Sequence, residues 1–404
     1  MNDTHKNRIK LWQQDYVSKG KLAGSSVLVR HKGKEVHFSS DGMRNLEQGL
    51  AFSRETLVRL YSMTKPITSV AIMILVEKGL VQLDMPVSEF IPEFADVTAL
   101  VTSARSFDQT EPCSSPTIIQ LLTHTSGLSY PFNTGVLPTA MDVESLSFGP
   151  GSESLADLTK RAASFPLAFQ PGRKWEYSIG IDVLGRVIEV ITGQSLDVFF
   201  HQEIFEPLSM TDTGFQLERY VGDRFATLYS PSTHDPFSLT KVVHETNQLC
   251  PIDEFETSKF LTTNMLSGGG GLIGTIDDYM NFCEMLRQKG RYRNSQILHP
   301  NTVSFMMQNH LPDDIASMGP SSFAEQPMEG MGFGLGGAVM LDPERARCAG
   351  SIGDFSWGGM ASTFFWVNPV LDLCVVFFTQ LAPSSVYPIR AELKGLVHSA
   401  SSDF

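Results

Sequence analysis

The chain has 404 residues, with 44 acidic side chains against 31 basic ones and a formal net charge of −13. At 42% hydrophobic and 19% charged it has the composition of a globular protein, and its length exceeds what one hydrophobic core usually holds. No Lys/Arg cluster interrupts the acidic balance, which speaks against nucleic acid and against an anionic membrane surface as partners.

No apolar run approaches the roughly 18 residues of a membrane span. The start, Met1-Asn2-Asp3-Thr4-His5-Lys6, is polar and lacks a secretory apolar segment. Five scattered cysteines without C-x-x-C read as reduced thiols, and ten dispersed histidines without His-x-x-x-His give no metal-ligand spacing. The expectation is a cytoplasmic protein with no metal and no cofactor.

In chain order, a first helix is predicted from about Asn7 to Lys19. A β-hairpin follows, Ser25 to Arg30 and Lys34 to Ser39 around Lys32-Gly33. Then comes Ser62-Met63-Thr64-Lys65, opening a run from Pro66 to Lys78 that is apolar on almost every side and closed by Gly79. Such a run predicts a helix buried all round, with Pro66 tolerated in its first turn.

From about Pro86 to Leu266 the texture is loop-rich with short helices: Pro116 to Leu122, Ile181 to Thr192 and Leu196 to Ile204. The stretches 103–115 and 132–151 read as long loops, which usually rim a site. After Ser267 a helix capped by Thr275 runs to Arg287, and a second hairpin pairs Thr363–Val367 with Leu373–Thr379. A last helix starts near Pro388. Hairpins at both ends predict an α+β fold with one central antiparallel sheet flanked by helices. Residues 1–85 and 267–404 would build that α/β subdomain, with 86–266 as an inserted, mainly helical one.

Ser62 and Lys65 fall at i and i+3 on one face of a first helical turn. A helix N-terminus favours an oxyanion, and a lysine in apolar surroundings gives up its proton more readily, so the pair can make a nucleophile without histidine. Ser-x-x-Lys also occurs at Ser18–Lys21 and Ser238–Lys241, but only Ser62 has a buried helix behind it. The competing reading is an N-cap serine beside a surface lysine. Tyr177, in Pro171-Gly172-Arg173-Lys174-Trp175-Glu176-Tyr177-Ser178, could pass protons or could simply pack. Trp357-Gly358-Gly359 allows close backbone approach of a ligand, or marks an edge-strand bulge. Two Gly-x-Gly-x-x-Gly matches, at Gly269 and Gly332, lack the strand–turn–helix context of a dinucleotide site, and Gly-x-Ser-x-Gly is absent.

Ordered along the chain stand Tyr61-Ser62-Met63-Thr64-Lys65-Pro66, Leu121-Leu122-Thr123-His124-Thr125-Ser126-Gly127-Leu128, Pro171-Gly172 with Tyr177-Ser178, and Pro207-Leu208-Ser209-Met210-Thr211-Asp212-Thr213. Gly268 to Gly271 with Asp278-Tyr279 and Trp357-Gly358-Gly359 complete the series. Together they resemble the serine β-lactamase-like superfamily, and within it family VIII carboxylesterases and related polyketide acyltransferases. The resemblance implies a β-lactamase-like fold. It implies Ser62 as the acylated nucleophile, with Lys65 and Tyr177 moving its proton. It further implies an oxyanion hole from the backbone N–H groups of Ser62 and Met360, and an acyl pocket at Tyr130 and Phe132.

Two departures bear on substrate. Tyr177-Ser178-Ile179 stands where β-lactamases carry Tyr-x-Asn, and Trp357-Gly358-Gly359 where they carry Lys-Thr-Gly. Loss of the amide and the cation disfavours β-lactams and peptides, and an apolar Trp357 suits a small neutral ester. The expected activity is a serine carboxylesterase. The alternatives are acyl transfer to an alcohol, weak β-lactamase or D-amino-acid amidase activity, and a non-catalytic scaffold. Ser209 replaces a glycine usual in the family.

Overall fold

The computed structural model describes residues 1–217, 219–231, 248–384 and 386–403; the Ser238–Lys241 pair lies outside them. Helix α1 (Asp3–Ser18) begins earlier than the sequence pattern places it, because the Asn2 side chain accepts the His5 N–H. Strands β1 (Gly24–His31) and β2 (Lys34–Asn45) form the first hairpin, followed by the short β3 (Leu50–Ala51). Both turn residues, Lys32 and Gly33, have positive φ (50° and 76°), the geometry that matches the strand twist. Helix α2 (Thr64–Glu77) comes next, then α3 (Gly180–Thr192) and α4 (Ile276–Arg287). The chain ends with β4 (Met331–Phe333), β5 (Ala338–Met340), β6 (Phe355–Gly358), β7 (Phe364–Asn368), β8 (Leu373–Thr379) and α5 (Ile389–Ser399).

These strands make one eight-stranded antiparallel sheet in the order β4-β5-β6-β7-β8-β1-β2-β3, so β1 pairs with β8 and the two ends of the chain share a sheet. The register puts Val27 opposite Phe377 and Leu28 opposite Val376. Alternation then divides the side chains. Val27, Val29, Phe364, Trp366, Val375 and Phe377 pack beneath α1 and α5. Leu28, Phe365, Val376 and Phe378 join the larger core around α2, α3 and α4. Both faces are covered, which is why these strands read as nearly unbroken apolar runs.

Every residue of α2 from Thr64 to Leu75 is buried. Ile67, Val70, Ile72 and Leu75 each contribute about 1.5–3 kcal/mol by leaving water. The polar positions are satisfied locally: Thr68 Oγ1 donates to Gly268 O (2.6 Å) and Ser69 Oγ to Lys65 O (2.9 Å). Glycine at position 79 takes φ +70 after the last turn, as the capping pattern requires.

Two expectations are corrected. The 132–151 stretch is not a plain loop, since Val136–Val143 is helical. The helix from Leu196 is α-helical only to Phe200 and widens to a π-turn over His201–Phe205. The Gly332 match lies in the β4–β5 hairpin, with Gly332 paired to Val339 and a strand rather than a helix after Gly337, as its sequence context implies. Ser209 adopts φ +54, so the turn that usually carries glycine keeps its left-handed backbone here. Among the described residues no helix is long and apolar enough to cross a membrane.

Candidate active site

Ser62 sits not in α2 itself but in a 3₁₀ turn, Tyr61–Met63, immediately before it. Tyr61 takes φ +46, a left-handed conformation costly for a residue with a Cβ, and this kink turns the chain from the strand-like Val58–Arg59 into the helix. The kink is clamped from several directions. Leu60 N–H donates to Leu272 O (2.9 Å), Leu272 N–H to Thr64 Oγ1 (3.1 Å) and Tyr279 OH to Met63 O (2.8 Å). Burial pushes the Tyr61 phenol up to about 12, so that ring is a neutral packing group.

Lys65 is fully buried, and its amine turns back over the first turn of α2. Nζ lies 3.3 Å from Ser62 Oγ, 2.9 Å from Tyr130 OH and 2.7 Å from Gly269 O. Three oxygens from three separate stretches of chain thus surround one amine. The bland alternative, an N-cap serine with a surface lysine, fails on this geometry.

The phenol bonded to Lys65 is therefore Tyr130. Tyr177 stands beside the same amine, but it presents its ring, with the centroid 4.6 Å from Nζ. The Tyr177 hydroxyl accepts from Trp357 Nε1 at 3.4 Å. Among the described residues no hydrogen bond links Tyr177 OH to Lys65 or Ser62. Tyr130, Phe132 and Tyr177 form one aromatic group, with Tyr130 stacked on Phe132 at 4.8 Å and 5.2 Å from Tyr177.

What aims Tyr130 is a buried polar seam. The Ser129 hydroxyl donates to the Glu176 carboxylate, and Asn133 Nδ2 donates to Ser129 Oγ (3.0 Å) and to Tyr177 O (2.8 Å). His124 secures the other strand of that seam. Its Nδ1 accepts the Ser178 N–H at 3.2 Å, and its ring lies 4.8 Å from that of Tyr177. Burial, with Lys65 nearby, drives the His124 pKa well below the ordinary range, consistent with a neutral ring that accepts at Nδ1.

One residue that sequence reasoning missed completes the centre. Asp182, in the first turn of α3, is fully buried. It accepts from Ser267 Oγ (2.5 Å) and Gly269 N–H (2.9 Å) on one oxygen, and from Tyr130 OH (3.3 Å) on the other. Burial raises its pKa, opposed by the Lys65 charge and these hydrogen bonds. Burial, with the same carboxylate adding to it, pushes the Tyr130 phenol well above its ordinary value. The available signal was a lone acid near the start of an otherwise apolar helical face.

The glycine run that resembles a nucleotide loop has its explanation here. A Cβ on Gly269 would overlap Asp182 Oδ2, and one on Gly268 would lie 2.9 Å from Ile181 O. The glycines let this loop press between α2 and α3, so that its carbonyl meets Lys65 and its N–H meets Asp182.

A cavity of about 790 Å³ opens over Ser62. Tyr130, Phe132, Tyr177, Trp357, Gly358, Gly359 and Met360 all line it, so every residue singled out from the sequence converges on one space apart from the buried Lys65 beneath it. The close approach at Gly358 and Gly359 is to protein. A Cβ on Gly358 would sit 2.7 Å from Arg390 Nη2, and one on Gly359 would overlap Leu60 O. The pair lets β6 press against the chain just before Ser62. Residues of 141–150 also line the cavity, whereas none of 103–115 does, which corrects that half of the loop expectation.

The Beta-lactamase family profile matches residues 10–398. The chain belongs to the Beta-lactamase family. Within it, an uncharacterized protein of Mycobacterium tuberculosis is 33% identical over 382 residues, covering 93% of this chain and 90% of that one. Esterase EstB of Burkholderia gladioli is 30% identical over 390 residues, covering 94% and 91%. Among solved structures, EstCE1, described as a hydrolase with promiscuous acyltransferase activity, superposes with a TM-score of 0.81 at 27% identity and covers 98% of each chain. The α+β, β-lactamase-like architecture expected from the sequence is the one found.

Proposed function

We propose that this protein is a serine carboxylesterase that hydrolyses small neutral carboxylic esters through an acyl-enzyme on Ser62. The observation that carries the reading is the Ser62 hydroxyl, 3.3 Å from a buried lysine amine, under a cavity walled by Tyr130, Phe132, Tyr177 and Trp357. The name of Esterase EstB supports an ester as the substrate class, and the description of EstCE1 as a hydrolase with acyltransferase activity supports an acyl-enzyme.

In this reading Ser62 Oγ attacks the ester carbonyl while its proton passes to Lys65. Tyr177, once its hydroxyl turns from Trp357 Nε1, joins that amine in returning the proton to the leaving alcohol. The backbone N–H groups of Ser62 and Met360 receive the oxyanion, and the alcohol leaves with the proton. Water then attacks the acyl-enzyme along the reverse proton path, releasing the acid and Ser62. Tyr130 and Asp182 orient Lys65. An indole at position 357, where β-lactamases carry a lysine, supports a neutral substrate.

Acyl transfer to an alcohol uses the same intermediate. The description of EstCE1 favours keeping it as the second reading, and product ratios with a competing alcohol separate the two. The division into 1–85 with 267–404 and an inserted 86–266 remains part of this reading, as does a cytoplasmic enzyme with no nucleic-acid or membrane partner. Five free cysteines and the net charge of −13 support the latter. Ser62→Ala tests the core: turnover of a p-nitrophenyl ester should vanish with the melting temperature retained. Undiminished turnover in that variant would end the proposal.

A further inference from the structure

One wall of the Ser62 cavity is a small hairpin, Ser322–Phe323 paired with Gln326–Pro327, turning at Ala324 with φ +53. Phe323, Ala324 and Gln326 line the cavity. Two strands of two residues cannot hold their own shape in water, so side chains must set where this hairpin sits.

Two contacts do so. The Phe323 ring lies parallel to Trp357 (5.9 Å, 12°) and 4.8 Å from the ring of Tyr177. The next residue but one, Glu325, reaches away to Arg390 on α5, with its oxygens 2.6 and 2.5 Å from Nη1. These two side chains are only 7% and 9% exposed. Arg390 is itself fixed: Nη2 donates to Gly359 O (3.4 Å), and its guanidinium fills the space left by the missing Cβ of Gly358. One arginine therefore grips both the strand that borders Ser62 and the hairpin that faces it.

A buried ion pair adds little net stability, because desolvation offsets most of the attraction; what it can supply is a defined position. On the esterase reading, we propose that the Glu325–Arg390 pair is a specificity-determining anchor. It pins Phe323 against Trp357 and Tyr177, and thereby sets how bulky an ester reaches Ser62.

The test compares wild type, Phe323→Ala, Glu325→Gln and the double variant on two ester series. The first is p-nitrophenyl esters from acetate to long and branched acyl groups; the second is acetates of increasingly bulky alcohols. Phe323→Ala should raise the bulky-to-small ratio of kcat/KM at least about tenfold in one series. Glu325→Gln, nearly the same shape but uncharged, should move the same ratio in the same direction. The double variant should match Phe323→Ala, because the pair acts through that ring. If Phe323→Ala melts below the assay temperature, Phe323→Leu carries the comparison with a smaller shift.

Ratios unchanged in both series would overturn the proposal, and so would independent, multiplying effects in the double variant. A Glu325→Gln that lowers all esters equally together with the melting temperature would show a structural tie only, and would also overturn it. Labelling of wild-type Ser62 by a p-nitrophenyl phosphonate separates the two failures. A labelled serine with unmoved ratios sinks the anchor alone, whereas no labelling and no turnover sinks the esterase reading and the anchor with it.

Discussion

Replacing Asp182 with asparagine removes one buried charge and almost no volume. The amide oxygen can keep the Ser267 and Gly269 donors, which share one carboxylate oxygen, but the amide nitrogen would then face Tyr130 OH, a donor in the native arrangement. Two charge-assisted hydrogen bonds become neutral ones, at about 1 kcal/mol each, and the Tyr130 bond is lost at about another 1 kcal/mol. Relief of burying a charge offsets part of this, leaving a net loss of about 2 kcal/mol. If that loss falls on the orientation of Lys65 in the transition state, kcat/KM drops about thirtyfold. Hydrolysis of p-nitrophenyl butyrate and a thermal melt would both read the change. Because burial raises the Asp182 pKa, the wild-type acid limb should lie above the ordinary carboxylate range and vanish in Asp182→Asn. Unaltered kcat/KM from pH 5 to 8 with an unaltered melting temperature would refute this account of Asp182.

Tyr130→Phe removes the hydroxyl held by Lys65 and should lower kcat at least about tenfold with little change in KM. Tyr177→Phe should lower it about a hundredfold, the usual scale for a proton-transfer group. A larger loss at Tyr130 than at Tyr177, measured side by side, would reassign the proton transfer. Asp278 accepts from Asp212 N–H and Thr213 Oγ1, both at 2.8 Å, and burial moves its carboxyl from 3.8 to about 6. A raised carboxyl stabilises the fold fully below about pH 3.8, and that stability, at most about 3 kcal/mol, is lost as pH rises through 6. Asp278→Asn should therefore gain melting temperature over wild type at pH 7.5 but not at pH 4; an equal difference at both would contradict the shift.

Much of the architecture was legible because local signals agreed with the fold. Lys32-Gly33 marked the first hairpin, Thr275 the start of α4, and the all-round apolar run behind Ser62 a helix buried on every side. The Ser62–Lys65 pair was legible as spacing, and its meaning came from that burial. Asp182 was not, because an acid in the first turn of a helix already has an ordinary explanation in the helix dipole. Its partners, Tyr130 and Ser267, lie 52 and 85 residues away. Likewise nothing local says which phenol meets Lys65. That is decided by Ser129, Asn133 and Glu176 holding the 129–133 segment against Tyr177. The 322–327 hairpin escaped notice for the same reason: its placement comes from a helix 65 residues further on.

The most direct measurement is the site of covalent modification. Incubated with a p-nitrophenyl phosphonate and digested, the protein should carry the added mass on the peptide containing Ser62, with one equivalent of nitrophenol released and none from Ser62→Ala. A label on another serine, or full release from Ser62→Ala, would mean that the hydroxyl beside Lys65 is not where the chemistry happens.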